Sequence, residues 1–333
     1  MNMIATLLVS NILHFFAPDT AQHQLIVGSY TKKGNPGIEV YAVNAVTGKP
    51  KLLYTKENAN ASYLTLANNG KSMYAVTEGG KDASFVSAYQ LDATNQFQKI
   101  NQEPIKGAAP CFIVSRPESK TVYTANYTSG SVSVFKTLDN GALLPIAQEI
   151  NYSGSSIHKA RQEASHAHNV VLTPDHNQLL VTDLGADKIY MHKIYADGLL
   201  DEKYTSVSIT PGNGPRHFTF NNSGTHGYLI NELSGTVDVF SFRANTLEKI
   251  QTITADTAKT TATKGSGDIH ISPSGKWLIT TNRVTSEQLT VFKIEADGKL
   301  TKMYHQPVAQ RPRNFSFSPN GNFVFVASQT EDK

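Results

Sequence analysis

Residues 267–283 read GDIHISPSGKWLITTNR, which is an alternating strand, a tight turn and a second apolar strand. The turn Ser-Pro-Ser-Gly at 272–275 puts proline where φ is roughly −65° and glycine where φ can be positive. The same pattern recurs in ASYLTLANNGKSMYAVTE (61–78), PCFIVSRPESKTVYTANY (110–127), AHNVVLTPDHNQLLVTDL (167–184), PRHFTFNNSGTHGYLINE (215–232) and PRNFSFSPNGNFVFVASQ (312–329). The sequence therefore predicts a repeated antiparallel hairpin.

The spacing of the repeats indicates the architecture. The turn anchors lie 49, 57, 48, 51 and 46 residues apart, at Asn68, Pro117, Pro174, Asn222, Pro273 and Pro319. A third strand such as TVDVF (236–240) and a fourth such as ADGKLTKMY (296–304) follow the hairpin. Four strands in roughly 50 residues are typical of a β-propeller blade, whereas paired β-sandwiches do not repeat at this period. We predict an all-β, seven-bladed β-propeller of four-stranded antiparallel blades.

The two ends of the chain depart from this repeat. The strand that follows the turn occurs seven times, but the strand that precedes it occurs six times. The N-terminal repeat, which contains LIVGSY, GIEVYAV and PKLLYT, lacks its innermost strand, and the last repeat stops after its second strand. We expect an incomplete last blade, about 35 residues short of a sealed ring at roughly 10–12 residues per strand and turn.

Composition excludes several classes of protein. The 30 Lys and Arg residues nearly balance 27 Asp and Glu, so nucleic acid is not predicted as a partner. With 17% charged and 39% hydrophobic residues, the chain fits neither a disordered nor a membrane-spanning protein. One cysteine, Cys111, excludes an internal disulfide. The sequence has no phosphate-binding loop, nucleophile elbow or HExxH motif, so no cofactor is predicted.

The N-terminus carries an apolar run, Met3–Ala17, which is about as long as a signal-peptide core and too short for a membrane span. No Lys or Arg precedes it. We predict a leader or signal peptide over 1–22 and a propeller domain over 23–333. Cleavage of the leader would give a periplasmic or secreted protein. The alternative is a cytoplasmic protein whose leader is disordered or packed at an edge.

Alignment of the repeats places distant residues at one level. Six residues before the turn anchors stand Ser62, Cys111, His168, Arg216, Gly267 and Arg313. Ten residues after them stand Glu78, Tyr127, Leu184, Glu232, Arg283 and Gln329. In an antiparallel hairpin the start of the first strand lies beside the end of the second, so both sets are expected at one mouth of the channel.

The charged members of these sets suggest a binding site for a small anion. Three arginines, Arg216, Arg283 and Arg313, would offer bidentate donors to phosphate or carboxylate. A histidine such as His168 beside the carboxylate of Glu232 would supply a base that titrates near neutral pH. This combination suits hydrolysis or rearrangement of a small anionic substrate.

Structural roles for these residues remain open. The three arginines could pair with acids between blades, and His168 and His217 could cap backbone carbonyls. Asp183 and Asn231 could satisfy backbone groups at blade edges. His166 and His168 stand two residues apart, as metal ligands can, but no third ligand follows at a fixed spacing, so no metal is predicted.

The chain resembles a known family, the seven-bladed propeller lactonases, which includes bacterial 6-phosphogluconolactonase and fungal carboxymuconate lactonizing enzyme. The resemblance covers residues 25–333 and is carried by LIVGSYTKKGNPGIEVYAVNAVTGK, SHAHNVVLTPD, GPRHFTFNNSGTHGYLINEL, GDIHISPSGKWLITTNR and RPRNFSFSPNGNFVFVASQ. It implies a lactone-acting site in which a histidine, an arginine and a glutamate match His168, Arg216 and Glu232, with Arg283 as a second basic residue. Relatives usually end with a ring-closing strand that this sequence lacks.

Together these observations predict a hydrolase of carboxylic esters in carbohydrate metabolism that opens a sugar-acid lactone. The first candidate substrate is 6-phosphogluconolactone, which would give 6-phosphogluconate. The predicted catalytic residues are His168, Arg216 and Glu232, and the predicted substrate-binding residues are Arg283, Arg313, Glu78 and His217. His168 would activate water, Glu232 would orient it or share its protons, and Arg216 would stabilise the oxyanion.

Other functions remain open from the sequence. One alternative is a muconate-type lactonizing enzyme or cycloisomerase, or a lactonase for an unphosphorylated sugar acid. A second is a non-catalytic propeller that serves as a binding module, because a fold does not decide its function. The predicted partner is a small anionic lactone, and the protein is expected to be a monomer or a weak homo-oligomer.

Overall fold

A computed structural model describes residues 5–7, 11–15, 22–31, 34–259 and 263–330, with the backbone alone for residues 5–7, 11–15 and 22. The described elements are strands, apart from one 3-10 turn at Pro117–Ser119. No helix among the described residues has the length and apolar character needed to cross a membrane. The all-β prediction is confirmed.

In chain order the strands are β1 (Ala5–Leu7), β2 (Asn11–Phe15), β3 (Gln22–Gly28), β4 (Gly37–Asn44), β5 (Pro50–Glu57), β6 (Leu64–Ala67), β7 (Ser72–Thr77), β8 (Phe85–Leu91), β9 (Phe97–Pro104), β10 (Pro110–Arg116), β11 (Thr121–Asn126), β12 (Ser131–Thr137), β13 (Leu143–Asn151), β14 (Ala167–Leu172), β15 (Gln178–Asp183), β16 (Lys188–Ile194), β17 (Leu200–Ser208), β18 (Pro215–Phe220), β19 (His226–Asn231), β20 (Thr236–Arg243), β21 (Thr246–Thr254), β22 (Ser266–Ile271), β23 (Trp277–Asn282), β24 (Gln288–Ile294), β25 (Leu300–Pro307), β26 (Pro312–Phe317) and β27 (Val324–Ser328).

These strands form six four-stranded sheets, each built from consecutive strands, and one three-stranded sheet. The six run from β2 to β5, β6 to β9, β10 to β13, β14 to β17, β18 to β21 and β22 to β25. In the three-stranded sheet β26 pairs with β27 in antiparallel fashion, and β1 pairs with β27 in parallel. Consecutive antiparallel strands joined by short turns are the predicted blades, and the seventh is partial, as predicted.

The turns explain why the chain reverses where it does. In the hairpin between β22 and β23, Gly275 has φ +70° and donates its N–H to the Ser272 carbonyl over 2.8 Å. Gly321 does the same toward Ser318 between β26 and β27, with φ +70° and 2.8 Å. Each glycine occupies the left-handed conformation that other residues adopt at a cost.

Two compact units make up the chain. One comprises residues 28–37 and 56–212 and contains the sheets β6–β9, β10–β13 and β14–β17. The other comprises residues 1–27, 38–55 and 213–333 and contains the sheets β18–β21 and β22–β25, the β1–β27–β26 sheet and most of β2–β5. Below they are called the central unit and the terminal unit.

Each unit has its own apolar core between adjacent sheets. In the central unit, Tyr123, Val134 and Val170 belong to one cluster of buried side chains that joins the β10–β13 and β14–β17 sheets. In the terminal unit, Tyr228 and Phe292 belong to a cluster that joins β18–β21 with β22–β25. Sheets that pack face to face through alternating apolar residues hold their polar strand ends in fixed positions.

One sequence expectation about the first blade is wrong. The N-terminal repeat was expected to lack its innermost strand, but β2 lies beside β3 and completes a four-stranded sheet. Repeat alignment could not find this strand because NILHF (11–15) is not followed by the turn that marks the other repeats. Of the predicted leader, residues 1–4, 8–10 and 16–21 lie outside the described residues.

Candidate active site

A break in strand pairing recurs near the start of the first strand of five blades. In β18 the pairs are Pro215 with Asn231 and His217 with Ile230, so Arg216 is passed over. The skipped residue is Cys111 in β10, His168 in β14 and Arg313 in β26, and in β22 the irregularity covers Gly267 and Asp268. Bulges of this kind re-aim side chains and are common near active sites. They occur at the level that the sequence alignment singled out.

The bulge in β18 lets two sequence neighbours act on the same side. Arg216 is 2% exposed, and its Nη1 lies 3.1 Å from Nε2 of His217 and 2.5 Å from the carbonyl oxygen of Gly267. In a regular strand adjacent side chains point to opposite faces. The skipped position therefore brings Arg216 and His217 into contact.

Glu232 joins the two arginines of this cluster. Its Oε2 accepts a hydrogen bond from Nε of Arg216 over 2.9 Å, and Nη2 of Arg283 lies 3.0 Å from the same oxygen. All three side chains are at most 10% exposed. Since two guanidinium groups share one carboxylate, the cluster keeps a net positive charge in a region of low dielectric.

The position of Glu232 suits it to hold the arginines in place. A carboxylate bonded to two guanidinium groups fixes their planes and their remaining N–H directions. The open alternative of ion pairing between blades is thus realised for Arg283. Arg216 pairs with an acid of its own blade, and Arg283 pairs with an acid of the preceding blade in the chain.

His217 has a carboxylate partner that the sequence analysis missed. Its Nδ1 lies 2.6 Å from Oδ1 of Asp268, and both side chains are buried. Burial, assisted by the positive charge of Arg216, lowers the pKa of His217 to about 3 even though Asp268 acts in the opposite direction. His217 is therefore a neutral imidazole near pH 7.

Asp268 accepts hydrogen bonds from residues of β18, β22 and β26. Its carboxylate accepts from the Ile269 N–H over 2.9 Å, from Nε2 of His270 over 2.7 Å and from Nδ2 of Asn314. Burial alone would raise the pKa of Asp268, but His270 and the hydrogen bond from His217 hold it below its ordinary value. In turn, Asp268 outweighs burial and raises the pKa of His270. Asp268 is thus an ionised acceptor.

Arg313 and Gly267 complete the terminal unit's part of the predicted set. Arg313 is half-buried, and its carbonyl oxygen would lie 2.9 Å from a Cβ at Gly267. The same Cβ would lie 3.2 Å from Cδ of Arg283. The glycine therefore leaves the room that the Arg283 side chain occupies.

In the central unit, His168 lies among an aromatic ring and a thiol. Its ring meets Tyr127 edge to face with 5.5 Å between centroids, and Sγ of Cys111 lies 3.7 Å from its Nδ1. The thiol also contacts the His168 carbonyl oxygen over 3.3 Å. Both His168 and Cys111 are buried and occupy skipped positions of their strands.

His166 is held separately from His168. It stacks on Tyr127 with 4.5 Å between centroids and an interplanar angle of 7°. Its Nδ1 lies 3.0 Å from the Tyr127 carbonyl oxygen and its Nε2 3.3 Å from Oε1 of Glu163. Across the described ranges no three His, Cys, Asp or Glu side chains form a group able to hold a metal ion.

Two other residues of the central unit have structural partners. Glu78, predicted to bind substrate, accepts a hydrogen bond from the Tyr30 hydroxyl over 2.8 Å. Asp183 accepts backbone N–H bonds from His166 over 2.7 Å and from Gly185 over 2.9 Å. The structural role that remained open for Asp183 is therefore confirmed.

The long connection between β13 and β14 is tied to the body of the central unit. Gln162 is fully buried and donates to the Leu184 carbonyl over 2.9 Å and to Oδ2 of Asp187 over 2.7 Å. One residue earlier, Nη2 of Arg161 lies 3.3 Å from the Tyr127 hydroxyl. This segment accounts for the longest spacing between repeats, and the sequence analysis assigned it no role.

Comparison with known families decides the relationship. Residues 24–333 match a family described as lactonase, 7-bladed β-propeller. The chain belongs to this lactonase family. The predicted seven-bladed propeller class and the resemblance drawn from the five motifs are both confirmed, with six four-stranded sheets and a partial seventh among the described residues.

Several members of the family are similar over most of their length. A 6-phosphogluconolactonase of Formosa agariphila is 33% identical over 92% of this chain and 89% of its own length. A 6-phosphogluconolactonase of Bacillus subtilis is 31% identical over 92% of this chain and 87% of its own length. Among solved structures, a periplasmic gluconolactonase of Pseudomonas aeruginosa has a TM-score of 0.87 and 33% identity, and the match covers 93% of this chain and 90% of that one.

Within this lactonase fold, Asp268 and Asn314 are the site residues that sequence reasoning missed. They stand at the same level as His217, five residues before their turn anchors, and the three side chains are linked through Asp268. The signal was present in the alignment, since that level carries His, Asp and Asn in three successive blades. The aligned levels that predict the site include that of Arg216, one residue earlier, but not this one.

Proposed function

We propose that this protein hydrolyses a sugar-acid lactone that carries an anionic group, with 6-phosphogluconolactone as the favoured substrate. Membership of the lactonase family and the names of its similar relatives support this substrate class. The observation that carries the proposal is the pair of buried guanidinium groups of Arg216 and Arg283 on the single carboxylate of Glu232. A water-poor site with a net positive charge favours a substrate that is an anion and becomes more negative in the transition state.

The reaction needs stabilisation of one developing charge. Water adds to the lactone carbonyl carbon and loses a proton, and the carbonyl electron pair moves onto oxygen to give a tetrahedral oxyanion. Collapse of this intermediate breaks the bond to the ring oxygen, which takes up a proton and becomes the hydroxyl of the open acid. In this proposal the guanidinium of Arg216, fixed by Glu232, donates to the oxyanion, and one such donor contributes about 3 kcal/mol.

The base that removes the proton from water is assigned to His168. His217 is poorly suited, because a pKa of about 3 makes it a weak proton acceptor near neutral pH. His168 stands at the same alignment level as Arg216 and at a skipped strand position like it. Its role as the base is thus a proposal that rests on the repeat and on the family resemblance.

The anionic group of the substrate is assigned to Arg283 and Arg313. Arg283 is more exposed than Arg216, with 10% against 2% of its side chain accessible, and Arg313 is half-buried. Planar guanidinium groups bind phosphate and carboxylate through paired N–H donors. Removal of either arginine should therefore raise KM for the phosphorylated lactone more than for the unphosphorylated one.

The function is tested by lactone hydrolysis above the spontaneous rate, followed by pH-stat. We expect purified protein to open 6-phosphogluconolactone, and we expect Arg216→Ala and His168→Ala to lower kcat by about 100-fold or more. His226→Ala, at a partly exposed turn-side histidine, is the control and should keep the rate. Unchanged hydrolysis in both site variants would refute the assignment.

A second candidate function is hydrolysis of an unphosphorylated gluconolactone. It is favoured by the similar Pseudomonas aeruginosa structure, which is described as a periplasmic gluconolactonase. An exported protein would meet such a lactone outside the cytoplasm, although removal of residues 1–22 would also remove β1 and β2 from their sheets. Parallel rates on both lactones separate the two substrates, and N-terminal sequencing of protein from a periplasmic extract tests export.

A further inference from the structure

The buried chain Asp268–His217–Arg216 ends on the arginine assigned to the oxyanion. Asp268 is 1% exposed, His217 is 4% exposed and Arg216 is 2% exposed. Oδ1 of Asp268 lies 2.6 Å from Nδ1 of His217, and Nη1 of Arg216 contacts the His217 ring, 3.1 Å from Nε2 and 3.4 Å from Nδ1. Buried polar groups at such distances constrain one another strongly, because a donor or acceptor that loses its partner there cannot form a hydrogen bond to water instead.

Donor and acceptor roles along this chain follow from chemistry. An ionised carboxylate only accepts, so the proton of a neutral His217 must be on Nδ1, facing Asp268. Nη1 of Arg216 lies 3.1 Å from Nε2 and 3.4 Å from Nδ1, so the guanidinium group packs against the imidazole ring of His217. The observed contacts are thus consistent with a single tautomer of His217.

Asp268 is well placed to impose that tautomer. Its Oδ1 also accepts the Ile269 N–H over 2.9 Å, while its Oδ2 accepts Nε2 of His270 over 2.7 Å and Nδ2 of Asn314. These donors hold the carboxylate plane. The opposite tautomer would set the lone pair of Nδ1 against the carboxylate of Asp268.

We propose that Asp268 and His217 are positioning residues: Asp268 holds the His217 ring in place, and the ring supports the Nη1 end of Arg216 while Glu232 fixes its Nε end. This inference rests on the proposed role of Arg216 as oxyanion donor. It assigns to His217 an action through Arg216 in place of direct contact with substrate. Misplacing a catalytic group by about 1 Å can cost about 100-fold in rate, so the chain acts on kcat more than on KM.

Two replacements of His217 separate positioning from packing. In His217→Gln the amide can donate to Asp268, as the neutral imidazole does, and its flat group can pack against Arg216. In His217→Leu both links are lost in a similar volume. We expect kcat to fall about 10- to 100-fold in His217→Leu with KM changed little, and the glutamine variant to recover most of that loss.

A matched control measures the effect of losing a buried histidine elsewhere. His192 is fully buried, with Nε2 2.7 Å from the Tyr152 hydroxyl and Nδ1 2.8 Å from the Asp201 carbonyl oxygen. His192→Leu should lower the melting temperature as His217→Leu does, but leave kcat and KM near wild type. Equal kcat in His217→Leu and wild type, or equal losses in the leucine and glutamine variants, would overturn the proposal.

A spectroscopic readout stands apart from turnover. The ¹⁵N chemical shifts of His217 in labelled protein should report Nδ1–H in the wild type and Nε2–H in Asp268→Asn, with a shift of the Arg216 side-chain N–H signals. A wild-type Nε2–H tautomer would overturn the inference even if no lactone is hydrolysed. If lactones are not hydrolysed but the tautomer responds to Asp268→Asn, the proposed function fails while the positioning chain stands. If Asp268→Asn does not fold, the His217 pair and the wild-type shifts still decide.

Discussion

The Nε atom of Arg216 lies 2.9 Å from Oε2 of Glu232, and the two side chains are 2% and 6% exposed. An ion pair this deeply buried is maintained by the fold around it, because each partner gave up its hydration to enter. Arg283 shares the same carboxylate oxygen over 3.0 Å. Removing the acid would therefore leave two desolvated cations together.

Glu232→Gln should be strongly destabilising. We expect a loss of about 3–5 kcal/mol in the free energy of unfolding, since uncompensated charges remain buried, together with near-complete loss of lactone hydrolysis. Urea denaturation measures the first effect and pH-stat the second. Glu295→Gln, which breaks the exposed pair between Lys293 and Glu295 at 2.8 Å, is the control and should change stability little. A Glu232→Gln protein as stable as wild type would contradict the buried triad.

Acid should destabilise the protein partly through His217. Its pKa is lowered to about 3 in the folded protein, against about 6.5 for an unperturbed histidine, so the unfolded chain takes up the proton first as the pH falls. The stability is complete above about pH 6.5 and is lost progressively toward pH 3. The pKa of Asp268 is also lowered, and the loss of stability that follows from it begins only near the ordinary aspartate range. Between about pH 6.5 and 4.5 the change in stability therefore comes mainly from histidine.

The measurement is the urea midpoint across that interval in wild type and in His217→Gln. We expect a smaller drop in the variant, because its side chain does not titrate. Burial likewise lowers the pKa of His192, so His192→Gln should reduce the slope in the same direction. Identical slopes in wild type and His217→Gln would show that the pKa of His217 is the same in the folded and the unfolded protein.

Gly267→Ala should disturb the site without altering a charged residue. The added Cβ would lie 2.5 Å from Oγ1 of Thr281 and 3.2 Å from Cδ of Arg283. Since both distances are shorter than ordinary contacts, Arg283 has to move, and we expect KM for a phosphorylated lactone to rise. Gly80→Ala meets no atom within 4 Å and should leave kinetics unchanged. Wild-type kinetics in both variants would place Arg283 outside the substrate site.

Gln162→Ala should loosen the connection between β13 and β14. It removes the bonds to the Leu184 carbonyl and to Oδ2 of Asp187, which keeps the Gly212 N–H, and the loss of the donor to the buried carbonyl costs about 1–3 kcal/mol. Trypsin should then cut faster after Lys159 or Arg161, as mass spectrometry of the fragments would show. Gln148→Ala also breaks two backbone bonds, to Leu200, and should not speed these cuts. Equal cleavage in the two variants would argue against Gln162 as the anchor.

The sequence predicts most of the blade frame because strand pairing follows from turn spacing. The rule that a hairpin aligns its two ends is confirmed in β18 and β19, where Pro215 pairs with Asn231 and Glu232 follows directly. The same rule places Arg283 at the end of β23. These residues lie together because their register is set by local turns, which sequence shows well.

The rest depends on contacts that a repeat does not encode. A bulge has no characteristic residue composition. The contact between Arg216 and His217 could therefore not be predicted, because adjacent residues of a regular strand point to opposite faces. Asp268 contacts two side chains of other blades, His217 and Asn314, and these partners are decided by packing. The sequence analysis missed strand β2 because the sequence between β2 and β3 lacks the turn pattern of the other repeats.

The skipped strand positions have a consequence for how such a protein can change. Because the ladder makes no pairing demand there, the site holds a thiol at Cys111, an imidazole at His168 and a guanidinium at Arg216 on the same kind of strand. Strand pairing therefore sets no requirement on which side chain stands there. A side chain can be exchanged at such a position without a change in strand pairing, provided that its buried charged partners change with it.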